Sequence, residues 1–301
     1  MKRIVSLFLI FITSGCNPLS IVDEPARYQD ERIKYLILHF TSEHFERSME
    51  LLTGRGDSRV SVHYLIPEPE DDTYKASSLR IYRLVPEHQR AWHAGVSYWS
   101  GVTSLNGTSV GIEIVNRSAC TNDRLVAGIL TPEAQSCTFY GYPEEQINLV
   151  IRLATDILER NAGIDPVNVI GHGDIAATRR VDPGPTFPWK QLYENGIGAW
   201  YEEERVGHYA EQFENFLPTL HVFQRALNAY GYEIDVTGKN DPQTRFAVRA
   251  FQMHFRPSNY SGNIDIETTA ILFALLEKYR PEKLGKLLNS EFGQILSTEG
   301  G

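Results

Sequence analysis

His39, His172 and Asp182 are residues whose types could do chemistry together, since two imidazoles and a carboxylate can hold a zinc-like ion with one coordination position left open. Such a centre lowers the pKa of water to about 7 and polarises a carbonyl, which is what hydrolysing an amide at neutral pH demands. His172 and Asp182 lie in GHGDIAATRRVDPGPTFPW, Gly171 to Trp189. Pro183 and Pro185 fix their own φ and press the preceding residues toward extended geometry, so Asp182 sits in a stiff turn. His39 lies near the end of IKYLILHF, Ile33 to Phe40. Histidines this far apart form no local metal motif; what unites them is placement at strand ends and in a rigid turn, where side chains converge. N and O ligands suit several divalent metals, and geometry decides among them.

Other residues join this set. Glu113 in SVGIEIVN faces opposite Ile112 and Ile114 by strand period, either toward solvent from an edge strand or toward the metal as a general base. Trp92 and His93 in AWHAGVS are candidates for a substrate groove, where an aromatic face packs on sugar or peptide; core packing is the other role open to Trp92. His63 in VSVHYLI reads as a core histidine with its hydrogen bonds satisfied.

The elements that must position these residues are legible as patterns. Ile33–Phe40 is a near-continuous apolar run, as in a strand buried on both faces. Val60–Ile66, Arg80–Val85, Ser109–Asn116 and Val167–His172 read as further strands. Between the last two, Ile147, Val150, Ile151, Ala154, Ile157 and Leu158 follow helical spacing, opened by Pro143 and stopped by Gly163. The fold class is therefore α/β, a mixed central sheet flanked by helices, followed by a small all-α module. In that module Asp241-Pro242 and Asp265-Ile266 each begin a helix, and Phe-Gln recurs at 223–224 and 251–252. The acid-rich residues 201–218 read as a linker, and 281–301 as a tail.

The first residues, MKRIVSLFLIFITSGCNPLS, have a basic start, an apolar stretch too short to span a bilayer, and small residues before Cys16. They resemble a bacterial lipoprotein signal (residues 1–16) that would lipidate Cys16 and leave residues 17–31 as a tether. Asn17 in place of aspartate implies sorting to the outer membrane, with the protein facing the periplasm. An ordinary secretory signal is the alternative. In an oxidising compartment Cys120 and Cys137 can either close a disulfide or remain two thiols. The net charge of −9 disfavours nucleic acid as a partner.

Taken in order, LILHFT, VSVHYLI, AWHAGVS, SVGIEIVN and GHGDIAATRRVDPGPTFPW resemble zinc-dependent N-acetylmuramoyl-L-alanine amidases of the amidase type 2 family, and residues 219–280 resemble a helical peptidoglycan-binding module. The resemblance implies a catalytic domain over 32–200, with one Zn2+ held by His39, His172 and Asp182 and with Glu113 assisting the water. Arg180 stands where the family has a lysine that stabilises the oxyanion, and Arg179 is equally able to point inward. Implied partners are peptidoglycan, its muropeptides and, through the lipid, a membrane. A non-catalytic recognition protein and a metallopeptidase cutting within the stem peptide are the competing readings.

Overall fold

The computed structural model describes residues 20–121 and 131–298, so Cys16 and the signal lie outside the described residues. Residues 1–30 and 31–301 form separate units, and residues 20–30 carry no helix or strand. In chain order the second unit contains β1 (Tyr35–Phe40), α1 (Phe45–Leu52), β2 (Tyr64–Ile66), β3 (Tyr82–Arg83), β4 (Tyr98–Trp99), β5 (Val102–Thr103), β6 (Ser109–Ile114), β7 (Ala119–Thr121) and β8 (Ser136–Thr138). There follow α2 (Glu144–Arg160), β9 (Val169–Gly171), α3 (His172–Ile175), α4 (Trp189–Glu194), α5 (Glu203–Asn215), α6 (Leu220–Tyr230), α7 (Pro242–Phe255), α8 (Ile266–Tyr279) and α9 (Pro281–Thr298).

Five strands make one mixed sheet, ordered β3-β2-β6-β1-β9, in which only β3 runs antiparallel to its neighbour. Every residue of β1 is buried, as a central parallel strand covered on both faces must be. Of the stripe predicted for helix α2, Ile147, Val150, Ala154 and Ile157 are buried, joined by Leu153, while Ile151 and Leu158 are partly buried against the core. The second strand is shorter than its sequence run suggests. Its ladder stops at Tyr64, and the N–H of Gly111 goes instead to His63 Nδ1 at 3.0 Å, which makes His63 the satisfied core histidine expected.

Register does the positioning. Parallel pairing sets His39 directly beside Glu113, and Leu38 beside Gly171, the residue before His172. Glu113 thus lies on an interior strand rather than a solvent-facing edge. The carboxyl ends of the parallel strands gather at one rim of the sheet, the usual place for a site in an open α/β fold.

The helical module shows what its weak repeat is for. Gln224 donates to Thr244 Oγ1 (2.8 Å) and accepts from Gly238 N–H (2.8 Å); Gln252 donates to Thr268 Oγ1 (2.9 Å) and accepts from Gly262 N–H (2.8 Å). Each Phe-Gln therefore staples the loop and helix start that follow it. Asp241 and Asp265 accept from the N–H of Thr244 and Thr268, capping α7 and α8 as expected.

Two boundaries differ from the sequence reading. Residues 201–218 are no free linker: α5 packs on α8 with Phe213 against Phe273 at 5.1 Å, and Arg205 makes two 2.8 Å bonds to Glu277. Val206, Tyr209, Ala210 and Phe213 form a helical stripe that the acidic composition conceals. Most of the stretch 281–301, read as a tail, forms α9, with Leu284 and Leu287 buried. One continuous core also joins sheet and module. Trp99 meets Tyr232 at 4.9 Å, and Gly231 packs so closely that a Cβ there would lie 2.7 Å from the Trp99 ring.

Candidate metal centre and substrate groove

His39 Nδ1, His172 Nδ1 and Asp182 Oδ2 stand 3.0, 3.1 and 3.1 Å from one another, all buried. Local bonds hold them there. Gly173 N–H donates to the Asp182 carbonyl (2.8 Å), tying the stiff turn to α3, while Tyr142 donates to the Pro183 carbonyl (2.7 Å). Gly171 lies under the same turn, where a Cβ would come within 2.7 Å of Pro183.

The bonds behind the imidazoles decide which nitrogens carry hydrogen. His172 Nε2 faces the Ala94 carbonyl at 3.1 Å, with the Arg179 guanidinium 3.3 Å from the same nitrogen, so Nε2 donates to the carbonyl and Nδ1 is the nitrogen turned toward Asp182. Behind His39 runs a longer chain. Ser109 Oγ donates to the Leu105 carbonyl (2.8 Å) and so accepts from His93 Nε2 (3.1 Å); His93 Nδ1 then accepts from His39 Nε2 (3.0 Å), leaving His39 Nδ1 bare. Burial above all, only partly offset by Asp182, lowers His39 to about 4, and burial takes His93 well below its ordinary value, which keeps both rings neutral. Two imidazole Nδ1 atoms and a carboxylate oxygen therefore crowd against one another. A cation resolves that crowding, and the spacing suits N and O ligands at about 2.0–2.2 Å from one zinc ion.

Beside this triad, burial pushes the Glu113 carboxyl well above its usual range; the negative charge of Asp182 adds to the shift and Arg180 opposes it. Glu113 Oε2 is buried and has no hydrogen-bond partner among the described residues. For Asp182 burial acts in the same upward direction, but the His172 and His39 imidazoles beside it outweigh burial and hold the carboxyl well below the usual range.

A groove of about 450 Å3 opens over these groups, bordered by Phe40, Val60, Ser61, Glu113, Gln135 and Arg180 among others. The two arginines part company here. Both arginines border the groove, but the Arg179 guanidinium donates to the carbonyls of Ala94 (2.6 Å) and Val96, whereas the Arg180 side chain has no hydrogen-bond or ion-pair partner among the described residues. Trp92 is 52% exposed and does not itself border the groove; its backbone bonds to Ser61, which does, and the Arg90 guanidinium lies 4.1 Å from its ring centre. Its exposure removes the core-packing role. The His93 ring borders the groove as expected, and both its nitrogens are bonded, to His39 and Ser109, so it holds the His39 ring in place. Cys120 and Cys137 are disulfide-bonded across the β7–β8 ladder, at one end of the groove.

Ser109 and Gly111 escaped the sequence reading. A Cβ at Gly111 would lie 2.5 Å from the His93 ring, so this glycine makes room for the chain behind His39; one serine and one glycine in an apolar strand give no signal of that.

Comparison with known proteins places this geometry. Residues 29–185 match the family model described as N-acetylmuramoyl-L-alanine amidase. The chain belongs to the N-acetylmuramoyl-L-alanine amidase family. It is accordingly an amide hydrolase, with residues 218–272 matching a putative peptidoglycan binding domain. It is 43% identical to the amidase AmiD of Escherichia coli, over 82% of this chain and 84% of that protein. The crystal structure of AmpDh3 from Pseudomonas aeruginosa is 42% identical, with a TM-score of 0.77 over 87% of this chain and 99% of the other. AmiD of Escherichia coli, solved in complex with the substrate anhydro-N-acetylmuramic acid-L-Ala-D-gamma-Glu-L-Lys, is similar at 40% identity and a TM-score of 0.70, covering 85% and 93% of the two chains.

Proposed function

We propose that this amidase is zinc-dependent, with His39, His172 and Asp182 holding the ion, and that it releases stem peptides from muropeptides, including the anhydro forms named for its relatives. The observation that carries this reading is the convergence of two imidazole Nδ1 atoms and a carboxylate oxygen, with Glu113 set beside His39 by strand register. Zinc bound there would supply Lewis-acid charge and acidify water to near neutrality. Glu113 is the group that moves the proton. Burial holds its carboxyl above the ordinary range and so favours its taking up a proton, which it would accept from the attacking water and return to the departing L-alanine amine. Arg180 brings positive charge to the groove, where oxyanion character develops on the lactyl carbonyl of N-acetylmuramic acid. Trp92 offers its exposed face to the sugar or peptide beside the groove.

Export and a lipid anchor at Cys16 complete the proposal, supported by the residue pattern of the first twenty positions. No helix among the described residues is long and apolar enough to cross a membrane. The module gives the enzyme a hold on the wall, which raises effective substrate concentration at the groove.

The test is cleavage of muropeptides by purified residues 17–301 before and after chelation and zinc restoration, with products identified by mass. Intact stem peptide with a free L-alanine amine, lost with chelator and regained with zinc, is the expected result. Binding without cleavage would instead support a recognition protein, and shortened stems a peptidase.

A further inference from the structure

Arg249 is buried, and no carboxylate pairs with it among the described residues. A guanidinium stays charged inside a protein, so one taken out of water must be held by hydrogen bonds. Arg249 lies on α7 of the helical module, yet its bonds run to the catalytic domain. It donates to the Pro132 carbonyl at 3.2 Å, to Gln135 Oε1 at 2.9 Å and to Cys137 Sγ at 3.3 Å. One turn earlier on the same helix face, Arg245 pairs with Glu133. Tyr260, also of the module, meets Phe139 edge-on at 5.9 Å.

The segment gripped in this way is a wall of the metal groove. Gln135 borders the groove, as does Cys120, which is bonded to Cys137 and faces it across the β7–β8 ladder. The two strands have three residues each, with both end residues of each strand exposed. A two-stranded ladder of that size is not stable alone, so whatever grips it decides where it stands. The metal end of the groove is held otherwise: the bonds from Gly173 and Tyr142 that fix the turn around Asp182 lie within the catalytic domain.

We infer that Arg249 is a positioning residue for substrate binding: by fixing Gln135 and the disulfide-bonded ladder it sets one wall of the metal groove, so the helical module helps to bind the muropeptide itself. This rests on the reading above of the groove as the muropeptide site. A hold on the polymeric wall gives no advantage on a small soluble fragment, so such a fragment separates the two roles of the module.

The experiment uses residues 17–301 and the soluble fragment N-acetylmuramoyl-L-Ala-D-γ-Glu-L-Lys. Steady-state cleavage by the zinc-loaded protein gives kcat and KM, calorimetric titration of the chelated protein gives Kd, and competition with a chelating dye gives zinc affinity. In Arg249→Met, KM and Kd are expected to rise about tenfold, with kcat and zinc affinity within about twofold of the parent. Arg249→Lys keeps the charge but not the fork that reaches three acceptors, and is expected to fall between the two. Arg245→Gln should raise KM and Kd by less than Arg249→Met. If the thermal midpoint shows that Arg249→Met does not fold, Arg249→Lys and Arg245→Gln decide. KM and Kd at parent values in folded variants, or a loss of kcat or zinc affinity with KM held, would overturn the proposal while the parent still cleaves. A parent that neither binds nor cleaves the fragment would overturn the reading of the groove, and the proposal with it.

Discussion

The metal centre and the stapled loops of the helical module treat their buried polar groups in opposite ways. Gln224 and Gln252 meet acceptors with donors and donors with acceptors, and the capping aspartates do the same at the helix starts. At the rim of the sheet, two imidazole nitrogens and a carboxylate oxygen face one another, and one oxygen of Glu113 is buried with no partner among the described residues. Local consistency gives a region its stability, whereas the candidate site keeps a conflict that a bound cation would resolve.

Metal removal tests this contrast most severely. Chelation is expected to abolish amide cleavage and lower the thermal midpoint, and zinc to restore both, because an ion bound only by the native state stabilises it. Scanning calorimetry paired with product release checks it; a midpoint indifferent to zinc would break the comparison.

Glu113→Gln should move activity and stability in opposite directions. Loss of the proton carrier is expected to cost about 10²–10⁴-fold in kcat, while the apoprotein melts higher at neutral pH once an ionisable group pushed far from its ordinary range is gone. Steady-state kinetics and a melt of chelated protein read the two signs. Gln252→Ala should do the reverse, costing about 2–3 kcal/mol by denaturant unfolding because it strands buried partners, with turnover per folded molecule unchanged.

Acidity offers a finer cut. His39 titrates in the fold at about 4 against 6.5 when unfolded, so the stability it contributes is present above about pH 6.5 and lost as pH falls toward 4. Glu113, shifted upward, contributes stability at low pH that is lost as pH rises through its folded value. The apoprotein with Glu113→Gln should therefore show a steeper gain in midpoint between pH 4 and 6.5 than the parent, and His39→Asn in that background should flatten it. Arg180→Lys should have the smallest effect, a severalfold change in kcat with KM held, since charge is kept while the planar fork is lost.

Much of this was legible from residue pattern because it depends on local rules. The buried run of β1, the stripe of α2, the aspartate caps and the turn holding Asp182 each follow from spacing and backbone chemistry within a few positions. The ordered motifs made the ligand set readable by resemblance. Composition misled at residues 201–218, where acidic side chains on the solvent face hid an apolar stripe, and at 281–301, read as a tail although most of it forms α9.

By itself, then, the sequence determined the α/β class, the strand and helix cores and the residues able to ligate a metal. Tertiary structure alone decided that His93 holds the His39 ring in place, that Ser109 orients both rings, that Arg180 and not Arg179 is free for the groove among the described residues, and that module and sheet share one core. The reason is range. Propensity and periodicity act over a few residues, whereas a tautomer, an unpaired lone pair or a packed junction is set by groups that meet only once strands distant in the chain fall into register.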